Sequence, residues 1–249
     1  MRVFSHTCSN TEIVCALGCA HLLVGIDTDS DHPADLVATL PKLGRDLELD
    51  VAAVATLKPD LVLTSLTVPG HERIVEALGN AGLNTLVMDP RNLEDVYKNI
   101  GEIAEALDVS ARGNKLVSAM RADMPPVTPV ARTRILVEWW PKPVIAPARE
   151  SWVTDLIHLA GGENITGGRE GKSVEVPEPV AADVIVMSWC GVKEDKYRAD
   201  VVARRGGWSD VPAVKHQRIY PITEAFLGRP GPRLVEGYKA LRRLTSVAS

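Results

Sequence analysis

The chain has 249 residues, a formal net charge of −4 and 45% hydrophobic residues, which allows one large globular domain or two lobes of ordinary size. The small acidic excess and the scattered basic residues argue against nucleic acid or an anionic membrane surface as a partner. No apolar run approaches the roughly 20 residues of a membrane-spanning helix.

The elements read as alternating strand and helix. Arg2-Val3-Phe4 opens a strand at once, with no charged-then-apolar leader before it, so a chain that truly starts at Met1 is expected in the cytoplasm. Ser9-Asn10-Thr11-Glu12 reads as a capping box, with Ser9 as N-cap, opening a helix through Leu17 that stops at Gly18. Strands follow at Leu22–Ile26, Leu61–Leu63 and Thr85–Met88, interleaved with helices at Val51–Leu57, His71–Leu78 and Leu93–Leu107. A helix over about Ala111–Met124 ends where Pro125, Pro126 and Pro129 forbid it. Then come a strand Ile135–Val137, a helix Trp152–Leu159, a strand Val184–Met187, a helix near Val201, a strand Ile219–Tyr220 and a last helix Pro232–Leu244.

The halves echo one another. Pro59-Asp60-Leu61-Val62-Leu63-Thr64-Ser65 is similar to Ala182-Asp183-Val184-Ile185-Val186-Met187-Ser188, and each half begins with an Arg-led strand. The expectation is an α/β fold with two Rossmann-like lobes and parallel sheets: an N-terminal lobe at 1–108, a linking segment at 109–130 and a C-terminal lobe at 131–249. A ligand cleft is expected between the lobes, because small-molecule sites favour such boundaries.

Five of the eleven aromatic residues are tryptophans. Trp139, Trp140 and Trp189 stand just past strand ends, where open α/β sheets place ligands, and an indole suits a flat, partly polar molecule. They could equally be core residues. Trp152 and Trp208 read as packing residues on helices. Cys15 and Cys19 read as small buried apolar groups. His6 and Cys8 stand two apart, but the spacing of a structural zinc site is absent, so no metal is expected.

Ser9-Asn10-Thr11-Glu12, Ala16-Leu17-Gly18, Asp31-His32-Pro33, Leu40-Pro41-Lys42-Leu43-Gly44, Leu57–Leu63 and Ala160-Gly161-Gly162-Glu163-Asn164 resemble, in order and spacing, the substrate-binding proteins of ABC importers for cobalamin, haem and iron siderophores. Trp139-Trp140-Pro141-Lys142-Pro143, Ser188–Gly191 and Leu227–Arg233 look most like the cobalamin-binding branch. The resemblance implies a single helix linking the lobes, here 111–124, no catalysis and no intrinsic cofactor. It further implies a periplasmic or surface-bound monomer that delivers a corrinoid to transporter membrane subunits. Ligand-binding positions would be Cys8, Ser9, His32 and Ser65 in the first lobe, with Trp139, Trp140, Trp189, Cys190, Phe226 and Arg229 in the second. One exposed carboxylate per lobe, Glu72 and Glu178, would dock on the membrane subunits, Glu175 being a weaker choice. A ferric siderophore would instead require cations such as Arg45, Arg149, Arg169 and Arg229 to converge, and haem would require a Tyr or His for its iron. A third reading is a cytoplasmic corrinoid-handling enzyme or sensor that uses Cys8 or His6.

Overall fold

A computed structural model describes residues 1–247, and in it the chain divides into two compact units. Met1–Pro90 with Asp95–Ala119 make the first, and Arg91–Glu94 with the chain from Met120 onward make the second.

The first unit holds β1 (Val3–Ser5), α1 (Cys8–Ala16), β2 (Leu23–Ile26), α2 (Ala34–Val37), α3 (Val51–Thr56), β3 (Leu61–Ser65), α4 (His71–Asn80), β4 (Thr85–Met88), most of α5 (Leu93–Ala106) and the start of α6 (Ser110–Asp123). Its strands are all parallel, in the order β2-β1-β3-β4. Helices cover such a sheet on both faces, so its central strands carry no polar side. Every residue of β1 and β3 is accordingly buried. Phe4 and Val62 pack against Val54 of α3 and against Ile74 and Leu78 of α4, which stand four apart on one helical face.

The second unit holds β5 (Thr133–Glu138), β6 (Trp140–Pro141), β7 (Val144–Pro147), α7 (Trp152–Leu159), β8 (Gly162–Asn164), β9 (Ser173–Glu175), β10 (Val184–Met187), α8 (Ala199–Ala203), α9 (Pro212–Lys215), β11 (Ile219–Pro221), α10 (Glu224–Leu227) and α11 (Leu234–Val247). Its parallel sheet has the order β11-β10-β5-β8. Numbered along the chain, the four strands of each sheet stand 2-1-3-4, so the two units share one topology. They share a clamp as well. The Arg2 backbone N–H donates to the Asp60 carboxylate (2.6 Å) just before β3, and the Arg134 N–H donates to Asp183 (3.0 Å) just before β10. These are the segments that echo in sequence.

Two expectations need correction. The capping box does not form: α1 starts at Cys8, and its N-cap is Thr7 at φ 81°, with no side-chain cap bond. Ser9, Asn10, Thr11 and Glu12 are buried, and Thr11 Oγ1 bonds Ser5 and Ser30 at 2.9 Å instead, so burial diverts these hydroxyls from the helix end. Trp208 is buried, but in a turn between α8 and α9 rather than on a helix. The small antiparallel sheet β6-β7-β9 leaves no signal in the sequence, because its strands are two to four residues long and carry Pro141 and Pro147. The prolines did end α6 where expected, at Asp123.

Candidate functional site

In open parallel sheets the strand order reverses at one point, and the strand ends there diverge to leave a crevice. In the first unit that point lies between β1 and β3, so His6-Thr7-Cys8 and Ser65-Leu66-Thr67 flank it. The structure gathers small polar groups here. Ser65 Oγ is 3.1 Å from Thr67 Oγ1 and 3.5 Å from both Thr7 Oγ1 and His71 Nδ1, while Ser9 Oγ is 3.3 Å from Thr7 Oγ1. The Cys8 thiol donates to the Asp29 carbonyl (3.0 Å) and is half-buried. His32 is half-buried in the loop before α2. Thr7 is strained into the left-handed region, which costs about 1–3 kcal/mol and is characteristic of functional strand ends.

Beneath these groups lies an unforeseen pair. His6 is fully buried, with Nδ1 2.8 Å from Thr64 Oγ1 and Nε2 2.7 Å from the Asp46 carbonyl. The His71 ring meets it edge-on at 5.2 Å, and His71 Nε2 lies 3.6 Å from Asp46 Oδ2. Burial pushes His6 down to about 4, against the opposing effect of the Asp46 carbonyl. The His71 ring beside it, Nε2 facing the carboxylate, holds the Asp46 carboxyl below the usual range. Asp27 runs the other way: burial raises it, although Ser30 Oγ donates to it at 2.6 Å. The separation of His6 and His71 in sequence hides the pair, which only the parallel pairing of β1 with β3 creates.

In the second unit the order reverses between β5 and β10, so Trp139-Trp140 and Ser188-Trp189-Cys190 flank the switch point. Trp140 is 44% exposed, and its indole N–H donates to the Lys142 carbonyl (3.1 Å), which sets the ring's direction. Trp139 is half-buried against Trp152, with ring centroids 6.2 Å apart, and its indole N–H is buried without a hydrogen-bond partner. Trp189 corrects the expectation of an open indole face. It is only 5% exposed, sits in the apolar cluster with Tyr197 and Trp208, and donates to Glu138 Oε2 (3.4 Å). Cys190 is exposed, and its N–H donates to the Trp139 carbonyl (3.0 Å). Phe226 is half-buried in α10, with the Arg233 guanidinium 5.7 Å from its ring.

A buried ion pair closes this end of β5. Glu138, fully buried, accepts from Arg205 at 2.7 and 3.2 Å, and burial raises its carboxyl despite that pairing. A carboxylate ending an apolar run, directly before two tryptophans, was the sequence signal for Glu138; Arg205 had none.

The four arginines do not assemble a bare anion site. Arg45 pairs with Asp29 (3.4 Å) and Arg229 with Glu224 (3.4 Å), while Arg149 and Arg169 donate to the carbonyls of Gly168 and Glu175. Glu72 is exposed in the first turn of α4, where its Oε2 accepts from the Gly70 N–H (2.8 Å). Glu178 is exposed in the segment before β10. No helix among the described residues is long and apolar enough to cross a membrane.

A family model described as "Periplasmic binding protein" matches residues 3–225. The chain belongs to that family. It is 30% identical, over 96% of its own length and 78% of the relative's, to the uncharacterized ABC transporter substrate-binding lipoprotein YvrC of Bacillus subtilis (strain 168). To the vitamin B12-binding protein of Vibrio vulnificus (strain YJ016) it is 24% identical, over 93% of this chain and 85% of that one. Among solved structures it is similar to S. aureus IsdE complexed with heme, with a TM-score of 0.84 and 20% identity over 98% of both chains, a likeness of fold. Periplasmic binding proteins of this class serve ABC importers, so a small-molecule ligand and membrane transporter partners come with the family.

Proposed function

We propose that this periplasmic binding protein captures a corrinoid and hands it to an ABC importer. The observation that carries the reading is Trp140: a large indole, nearly half exposed and fixed by its own N–H, at the topological switch point of the second sheet. A corrinoid has a broad apolar face with a rim of neutral amides. An indole covers such a face. The similarity to vitamin B12-binding proteins over most of the chain supports the same ligand class.

Other residues weigh against the alternatives. A ferric siderophore calls for converging unpaired cations, and each arginine named above already has a partner. A tyrosine ligand to haem iron acts as a phenolate. All four tyrosines are buried or half-buried, and Tyr197 donates to the Trp189 carbonyl (3.3 Å) and accepts from the Glu224 N–H (3.2 Å). Burial raises its phenol further, away from the phenolate. Glu72 and Glu178, exposed carboxylates in separate units, serve in this reading as the docking points for the membrane subunits.

Titration with cyanocobalamin, dicyanocobinamide, hemin and a ferric tris-catecholate tests the proposal. The expected result is saturable quenching of tryptophan emission by the two corrinoids, plus thermal stabilisation worth about 2.7 kcal/mol at a hundredfold excess over Kd. A saturable response to hemin or the catecholate alone would overturn it.

A further inference from the structure

The hairpin that carries Trp140 is poorly equipped to hold itself. Strands β6 and β7 pair over two positions, Trp140 with Ile145 and Pro141 with Val144. Pro141 and Pro143 have no N–H to give, so the ladder is thin. β7 is held on its other side by β9 over three positions, so the weak edge is β6 with Trp140, paired over two positions alone.

Support comes from the side. Arg205 follows α8, and its side chain is 16% exposed. Its Nη1 donates to Glu138 Oε1 (2.7 Å) and its Nη2 to both Glu138 Oε2 (3.2 Å) and the Pro141 carbonyl (3.2 Å). The guanidinium lies 4.5 Å from the centroid of the Trp208 ring, which fixes its plane. The carboxylate it binds also receives the Trp189 indole N–H. One guanidinium therefore joins the end of the central strand β5, the backbone of the Trp140 hairpin and the apolar cluster. Planar, forked donors make this possible for arginine and not for lysine.

We propose that Arg205 is a positioning residue for ligand capture: it locks the Trp140 hairpin to the carboxyl end of β5 without touching the ligand. The proposal rests on the reading of Trp140 as a ligand-facing residue. The hairpin's own order can be measured without any ligand, so the two claims can fail separately.

The test compares the full-length wild type with Arg205→Lys and with the double variant Glu138→Gln/Arg205→Met. The double variant removes both buried charges, so no bare carboxylate remains to unfold the unit, yet Met cannot donate to the Pro141 carbonyl. Hydrogen exchange is followed at the Trp139 amide, bonded to Ile145, and at the Val176 amide, bonded to Val144. Cyanocobalamin affinity is measured in parallel. With circular dichroism unchanged, exchange at both amides should accelerate about tenfold in the double variant and less in Arg205→Lys. The Kd for cyanocobalamin should rise about tenfold as preorganisation is lost. Wild-type exchange and affinity in the double variant would overturn the proposal, since a purely structural ion pair is replaceable by neutral groups. Faster exchange in a protein whose wild type ignores cyanocobalamin would uphold the tether and count against the corrinoid reading alone.

Discussion

Trp140 and Trp189 sit at the same end of one sheet and do opposite work. Trp140 is exposed, so Trp140→Ala should change stability by no more than about 0.5 kcal/mol while weakening cyanocobalamin binding about tenfold. Trp189 is buried and holds Glu138, so Trp189→Ala should cost about 3–5 kcal/mol. Urea unfolding and ligand titration on both variants separate the effects. Adjacency to a strand end was visible in the chain; which of the two indoles the apolar cluster would absorb was not, because that depends on Tyr197 and Trp208 arriving from distant turns. His6 adds a pH dependence. In the fold it takes its proton only near pH 4, whereas the unfolded chain takes it near 6.5. Between those values the unfolded state binds the extra proton, so stability falls with pH, by up to about 3 kcal/mol from this group. Asp27 and Glu138 are raised in the fold, so their contribution is lost as pH rises and opposes that of His6. The difference in unfolding free energy between wild type and His6→Gln, measured from pH 4.5 to 7, should therefore narrow as pH falls; a constant difference would rule out this role for His6.

Among the elements, α6 is the one whose packing makes a sharp forecast. Gly113 lies against α5, and a Cβ there would stand 2.5 Å from the Ala104 Cβ. Helix propensity favours alanine over glycine by about 1 kcal/mol, but Ala104 has no flexible end to yield. Overpacking should win, and Gly113→Ala should lower stability by about 1–2 kcal/mol in thermal unfolding. Helices and buried parallel strands were the legible elements. Thr85–Met88, Trp152–Leu159 and Val184–Met187 have the bounds their periodicity suggests, and the prolines after Asp123 stop α6. The hairpin at Trp140 was illegible, since strands of two residues leave no periodicity to detect. The false capping box at Ser9 shows the converse: a correct local pattern is overridden when its polar groups are buried and find partners at the end of β1 and in the loop after β2.

For the whole molecule, the shared 2-1-3-4 order explains why the echo between the halves could be seen at all. The similar segments are β3 and β10, which occupy the same position in their sheets, and their preceding aspartates clamp the first strand in both. The proposed docking carboxylates give a forecast at this scale. Glu72→Arg with Glu178→Arg should leave cyanocobalamin affinity unchanged, because both residues are exposed, yet abolish uptake in a reconstituted importer. Retained uptake would remove them from the docking role. The first sheet is also self-contained along the chain. All four of its strands lie within residues 3–88, and its unit draws on nothing beyond Ala119. The first sheet therefore completes its hydrogen bonding without any strand from the second half of the chain.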